Sequence, residues 1–150
     1  MRNSAQQKEW HTARGKARFV SAALPNLQVK EGLLRLMTIR SHDQFNTTIY
    51  GLNDRYRGIK GERRVLFLHA DDIQQLGFQP SGMVDIISVA EDGIERRAEK
   101  FKIISYDIPR GCAAAYFPET NVLVPLHSVA DRSHTPTSKY ILVRLQRAGE

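Results

Sequence analysis

Apolar and polar positions along this chain fall into short blocks, and most of the blocks read as strands. Leu33-Leu34-Arg35-Leu36-Met37-Thr38-Ile39 is the first strong one. Arg64-Val65-Leu66-Phe67-Leu68 is the next, and Met83 to Val89 follows with β-branched residues that favour extended backbone. Asp92-Gly93 is a hairpin signal, and Glu95 to Ile104 is its partner strand, with Ala98, Phe101 and Ile103 as the apolar positions. Cys112 to Phe117 and Tyr140 to Leu145 complete the strong set. Gly15 to Val20 reads as a turn entering a short strand, with Trp10 and His11 docked beside it, and Val122 to Leu126 is a further apolar run. The segment 69–77 predicts a short helix capped by Asp71, with Ile73 and Leu76 toward the core and Gly77 as the stop. The pattern yields about seven strands and one or two short helices, which suggests a closed β-barrel or a sandwich.

A chain of 150 residues fits one domain. At this size folding buries roughly 68–70% of the unfolded surface, enough for a core without staples. No apolar stretch reaches membrane-spanning length, and the first residues lack the apolar core of a secretion signal, so a cytoplasmic location is the default expectation. Residues 1–13 read as a flexible lead-in, and Pro25-Asn26 as a loop. A single cysteine, Cys112, excludes an internal disulfide and a multi-cysteine metal site; lying in an apolar run, it reads as a buried structural thiol.

The net charge of +6 is uneven: residues 1–64 hold 13 Lys and Arg against 5 Asp and Glu, and the remainder holds 9 against 11. This basic excess favours an anionic partner. It surrounds a polar cluster that follows the first strand: Arg40, Ser41, His42, Asp43, Gln44, Asn46, Thr47 and Thr48, interleaved with Phe45, Ile49 and Tyr50. Arg presents a planar fork to phosphate, and Gln and Asn pair a donor with an acceptor, which suits the edge of a heterocycle. The interleaved apolar residues favour a ligand-gripping loop over a purely solvated one. Asn121 either hydrogen-bonds a heterocycle or caps a turn. Lys139, at the mouth of the last strand, either meets phosphate or faces water.

Catalytic patterns are weak. The five histidines have no zinc spacing, and neither a Walker A nor a GxGxxG motif is present. Tyr50, Tyr56, Arg55 and Arg57 leave single-stranded nucleic-acid binding by a free-standing basic β-barrel as the rival from composition.

Taken in order, five pieces resemble one family. They are Trp10-His11-Thr12-Ala13-Arg14-Gly15-Lys16-Ala17-Arg18-Phe19, Thr38-Ile39-Arg40-Ser41-His42-Asp43-Gln44-Phe45-Asn46-Thr47, Asp71-Asp72 with Leu76-Gly77, Tyr116-Phe117-Pro118-Glu119-Thr120-Asn121-Val122-Leu123, and Thr135-Pro136-Thr137-Ser138-Lys139. Together they resemble the C-terminal dinucleotide-binding domain of molybdopterin oxidoreductases, of the formate dehydrogenase-like alpha-subunit type. The resemblance implies a double-psi β-barrel formed by residues 1–150 as one domain of a longer enzyme. It implies a bis-molybdopterin guanine dinucleotide cofactor carrying molybdenum, or tungsten in its place.

Carried over position by position, the cofactor contacts are Arg40, Ser41, Gln44, Phe45, Asn46, Asn121, Ser138 and Lys139. Gln44-Phe45 stand where formate dehydrogenases often carry His-Tyr. The implied partners are the cofactor and the remaining domains of the parent, with no membrane and no nucleic acid. The family's metal-ligating residue lies upstream of this domain, as does any iron–sulfur cluster, so the domain by itself is expected to be non-catalytic.

Overall fold

The computed structural model describes residues 3–24, 29–45 and 49–149. Its strands are β1 (Leu34–Ile39), β2 (Asn53–Asp54), β3 (Ile59–Lys60), β4 (Val65–Leu68), β5 (Met83–Ser88), β6 (Arg96–Ser105), β7 (Cys112–Tyr116) and β8 (Ile141–Arg147). A single helix, α1 (Ala70–Gln75), follows β4, and a 3-10 turn covers Asn121–Leu123.

Six strands close into a barrel in the order β1-β7-β4-β6-β5-β8, with β8 returning to β1. Two neighbouring pairs, β1 with β7 and β4 with β6, are parallel, and the other four are antiparallel. These two interlocked parallel pairs are the double-psi barrel expected from the sequence. β2 and β3 form a separate small hairpin inside the long excursion from β1 to β4.

The barrel interior is filled by Leu36, Leu66, Leu68, Val84, Ile86, Phe101, Ile103 and Val143, all fully buried. β4 and β7 are buried on both faces. Leu66, Leu68, Ala113 and Ala115 point inward, while Val65, Phe67, Ala114 and Tyr116 form a second cluster with Ile59 of the β2–β3 hairpin. Strands covered on both sides read as continuous apolar runs, which is why both were legible as blocks without alternation.

β6 breaks the strict alternation of a strand. Ala98 and Phe101 are both buried although three residues apart. Lys100 sits between them at φ 58°, and the facing register shifts between Val84 and Ile86. The buried Asp85 stabilises this bulge by accepting from the Lys100 amide at 2.9 Å and from Arg97 at 2.9 Å. An extra residue at a bulge re-aims the following side chains, so Phe101 returns to the interior.

Several sequence expectations are corrected. Residues 15–20 form no strand; Phe19 and Val20 are exposed, and Trp10 and His11 are not docked in the core. The closed barrel offers no free edge for an added strand. The apolar run 122–126, to which the sequence pattern assigns no element, supplies the end of the 3-10 turn Asn121–Leu123 and a loop through Pro125. The cap of α1 is His69, whose Nδ1 accepts from the Asp71 amide at 3.1 Å; Asp71 lies in the first turn, where its charge suits the helix dipole. Ile73 is buried, Leu76 packs on the core and Gly77 takes φ +73° to end the helix. Cys112 is half-buried, since it opens β7 at the barrel end. The Pro25-Asn26 loop lies outside the described residues. Among the described residues no helix is long and apolar enough to cross a membrane.

Candidate functional site

Strand directions decide which loops meet. β1 and β7 run parallel with Ile39 opposite Tyr116, so the segments after them, beginning at 40–45 and 117–121, leave the same end of the barrel. β8 runs antiparallel to β1, so the residues just before it arrive at that end too. The Thr38 amide donates to the Ser138 carbonyl at 3.0 Å, and the Lys139 ammonium donates to the Thr38 carbonyl. Three segments far apart in sequence thus converge, and they carry the predicted site residues that the structure describes.

Within this cluster the predicted residues divide by exposure. Arg40 is exposed; its carbonyl accepts from Arg57 Nη1 at 3.2 Å, while its guanidinium has no partner among the described residues. Lys139 lies within its field. Desolvation, and after it the repulsion from Arg40, lowers the Lys139 pKa below the ordinary lysine value. Phe45 is exposed. Asn121 opens the 3-10 turn and is exposed, its side chain unpartnered among the described residues, so it does not cap the turn. Ser138 is half-buried. Asn46 lies outside the described residues, as do Thr47 and Thr48.

Ser41 and Gln44 are instead buried beneath the loop. Gln44 Oε1 accepts from the Ser41 amide at 3.2 Å, and its Nε2 donates to the Phe117 carbonyl at 2.8 Å. The residue that organises this layer, Arg63, was not among those predicted. It is 6% exposed. Its Nη1 donates to Ser41 Oγ at 2.6 Å, and its Nη2 donates to Gln44 Oε1 at 3.0 Å and to the Phe117 carbonyl at 2.7 Å. Nε and Nη2 also fork onto the two carboxylate oxygens of Glu119, at 2.6 and 3.1 Å. The guanidinium lies 3.5 Å from the Tyr50 ring centre, and the Tyr50 hydroxyl donates to Glu119 at 3.1 Å. In the sequence Arg63 sits inside Glu62-Arg63-Arg64, which has the look of a solvated charge run.

A second buried set steadies the outer wall. Tyr116 Oη donates to Asp54 Oδ2 at 2.6 Å, and Arg57 Nη1 donates to the same oxygen at 2.7 Å. Burial works to raise the Asp54 pKa, but the bonds from Tyr116 and Arg57 outweigh it and the net shift is downward. His42 contacts the edge of Tyr56 with ring centres 4.5 Å apart. Arg55 Nη2 lies 2.8 Å from His42 Nε2. Arginine can only donate, so Nε2 accepts and the ring proton is assigned to Nδ1. Nδ1 lies 2.9 Å from Asp43 Oδ2 but is not aligned for a hydrogen bond.

The donor set fits an anionic, heterocycle-bearing ligand. Arg40 and Lys139 bring two cations to the same barrel end, Asn121 presents an amide without a partner among the described residues, and Phe45 presents an exposed aromatic face. Two of the neighbouring carboxylates are occupied elsewhere: Glu119 by Arg63, Asp54 by Tyr116 and Arg57.

The comparisons with known proteins agree with that chemistry. Residues 34–142 match the family model described as the Molydopterin dinucleotide binding domain. The chain is 51% identical over 143 residues to the uncharacterized oxidoreductase Mb2924c of Mycobacterium bovis, an alignment covering 93% of this chain and 18% of the relative. It has the same identity and coverage with the uncharacterized oxidoreductase Rv2900c of Mycobacterium tuberculosis. Protein YdeP of Escherichia coli K12 is 35% identical over 150 residues, covering 96% of this chain and 20% of the relative. The chain therefore spans about a fifth of the length of the curated relatives it matches. With the barrel, the convergent loops and the family match in hand, the chain belongs to the molybdopterin dinucleotide-binding domain family.

Proposed function

We propose that this chain is the cofactor-binding domain of a molybdenum-dependent oxidoreductase, closing over the guanine dinucleotides of a bis-molybdopterin cofactor. The observation that carries the reading is that Arg40 and Lys139 both stand at this end of the barrel, and neither has a carboxylate partner among the described residues. Two cations gathered at one site suit an anion, and a pyrophosphate supplies it. Names of the relatives as oxidoreductases support the reaction class. The formate dehydrogenase-like character of the parent and the guanine form of the dinucleotide rest on the motif resemblance.

Bound, the cofactor supplies two-electron redox chemistry at its metal. The residues of this chain bind and orient it. Arg40 and Lys139 hold the pyrophosphate, Asn121 hydrogen-bonds a heterocycle edge and Phe45 packs on an apolar face. Ser138 brings Lys139 into place through the Thr38 backbone. Ser41 and Gln44 act from below, by holding the loop that presents Arg40 and Phe45. Asn46 belongs to the same loop and is a further contact in this reading. The barrel end also excludes water from the dinucleotide. Catalytic groups, any iron–sulfur cluster and the substrate pocket belong to the rest of the parent, which is the domain's partner.

The test is metal loading. Arg40→Ala in the full-length protein lowers its molybdenum or tungsten content, measured by elemental analysis against protein mass. Full loading in that variant overturns the assignment.

A further inference from the structure

Arg63 is connected to both of the loops that the cofactor reading depends on. Through Ser41, Gln44 and Tyr50 it grips the loop that carries Arg40 and Phe45. Through the Phe117 carbonyl and the Glu119 carboxylate it grips the loop that carries Asn121. Among the described residues, hydrogen bonds between these loops that avoid Arg63 include Gln44 Nε2 to the Phe117 carbonyl and the Tyr50 hydroxyl to Glu119. Arg63 itself stands just before β4, whose short span Val65–Leu68 is fully buried and paired on both edges. The backbone that carries Arg63 thus leads directly into a strand that is buried and paired on both edges.

We propose that Arg63 is a positioning residue for the dinucleotide site, setting the separation and orientation of the Arg40 loop and the Asn121 loop without touching the ligand. This rests on the cofactor reading above. The geometry requires arginine. Its planar fork spans both oxygens of Glu119 while the other nitrogen reaches Ser41, and its flat face stacks on Tyr50. A lysine ammonium keeps the charge but is a point donor on a flexible stem, and it cannot bond Glu119 in two places and Ser41 together. The two loops then move independently, and contacts offered by each are no longer held at a matched spacing.

Two measurements on the full-length protein, prepared without cofactor, test the proposal, using Arg63→Lys and Glu119→Gln. The first is hydrogen–deuterium exchange. Both variants accelerate exchange across 41–45 and 117–121 and leave β4, β5 and β6 at the wild-type rate. Unchanged exchange in both loops overturns the positioning role; acceleration throughout the barrel overturns it in favour of a general folding role. The second is titration with GDP, a probe that carries the nucleoside diphosphate part of the dinucleotide. The wild type binds, Arg40→Ala abolishes binding, and Arg63→Lys weakens it by about tenfold or more with its thermal midpoint close to wild type. Equal affinity in Arg63→Lys overturns the role in ligand binding. A wild type that ignores GDP, with Arg40→Ala no different, counts against the cofactor reading instead, and the exchange experiment still decides what Arg63 does to the loops.

Discussion

Lys139 donates from its ammonium to the carbonyl of Thr38, the penultimate residue of β1, across 101 positions of chain. That bond holds the approach to β8 against the exit of β1 and delivers a second cation to the neighbourhood of Arg40. The cost is visible in the lowered Lys139 pKa, which comes from desolvation first and from Arg40 second.

A pH dependence follows for anion binding. Lys139 must carry its proton to attract a phosphate, and its folded pKa lies below the ordinary lysine value. Affinity for GDP is therefore full near neutral pH and declines as pH rises through that lowered pKa, before a free lysine would titrate. Lys139→Arg removes the decline, since arginine stays protonated throughout. Calorimetric titrations of both proteins from pH 7 upward check this; parallel profiles refute it.

The Tyr116–Asp54 hydrogen bond, 2.6 Å and buried, ties the outer face of β7 to the β2–β3 hairpin. Tyr116→Phe leaves Asp54 with Arg57 and the Tyr56 amide but removes one charge-assisted donor. The expected loss is about 1–3 kcal/mol in denaturant unfolding. Burial first, and the bond to Asp54 second, raise the Tyr116 pKa well above that of free tyrosine. The folded state thus favours the neutral phenol. Its contribution is complete below the unfolded value of about 10 and is lost as pH climbs beyond it. The phenylalanine variant lacks that alkaline decline.

At the acid end the marker is Asp92, in the turn between β5 and β6. The bond from Arg96, at 2.7 Å, and then the Ile94 amide hold its pKa down to about 2. A carboxylate with a depressed folded pKa stabilises above its unfolded value of about 3.9, and that stabilisation disappears as pH falls toward the folded value. Asp92→Asn is expected to be less stable than wild type at neutral pH, with the difference closing between pH 4 and 2. Thermal melts across that window measure it, and a constant difference contradicts the assignment.

Ala115 is fully buried in β7, between Thr38 of β1 and Leu66 of β4. Its side chain belongs to the interior cluster filled by Leu36, Leu66 and Phe101. Ala115→Leu forces the interior apart and costs about 1–3 kcal/mol by denaturant titration. A neutral result would mean unfilled space inside the barrel.

The arrangement of apolar blocks, by itself, determined a fold of short strands with one or two short helices, closed as a barrel or packed as a sandwich; the family resemblance chose the barrel. Each strong block became a strand because side-chain periodicity and β-branching act locally. The family resemblance named Arg40, Asn121 and Lys139 together, and the strand directions bring their three segments to one barrel end. The rest required tertiary structure. Gly15 to Val20 looked extended but has no ladder to join, since closure leaves no free edge. Ser41 and Gln44 looked equivalent to Arg40, yet the fold turns them inward and Arg40 outward, and a polar loop contains no periodic signal of which way it faces. Arg63 shows this most plainly. Glu62, Arg63 and Arg64 are three adjacent charges: Glu62 pairs with Lys102 at the surface, Arg64 reaches the Glu99 carbonyl, and only Arg63 is buried. Burying a guanidinium is favourable only where its partners are already assembled, and those partners lie 19 to 56 residues away along the chain.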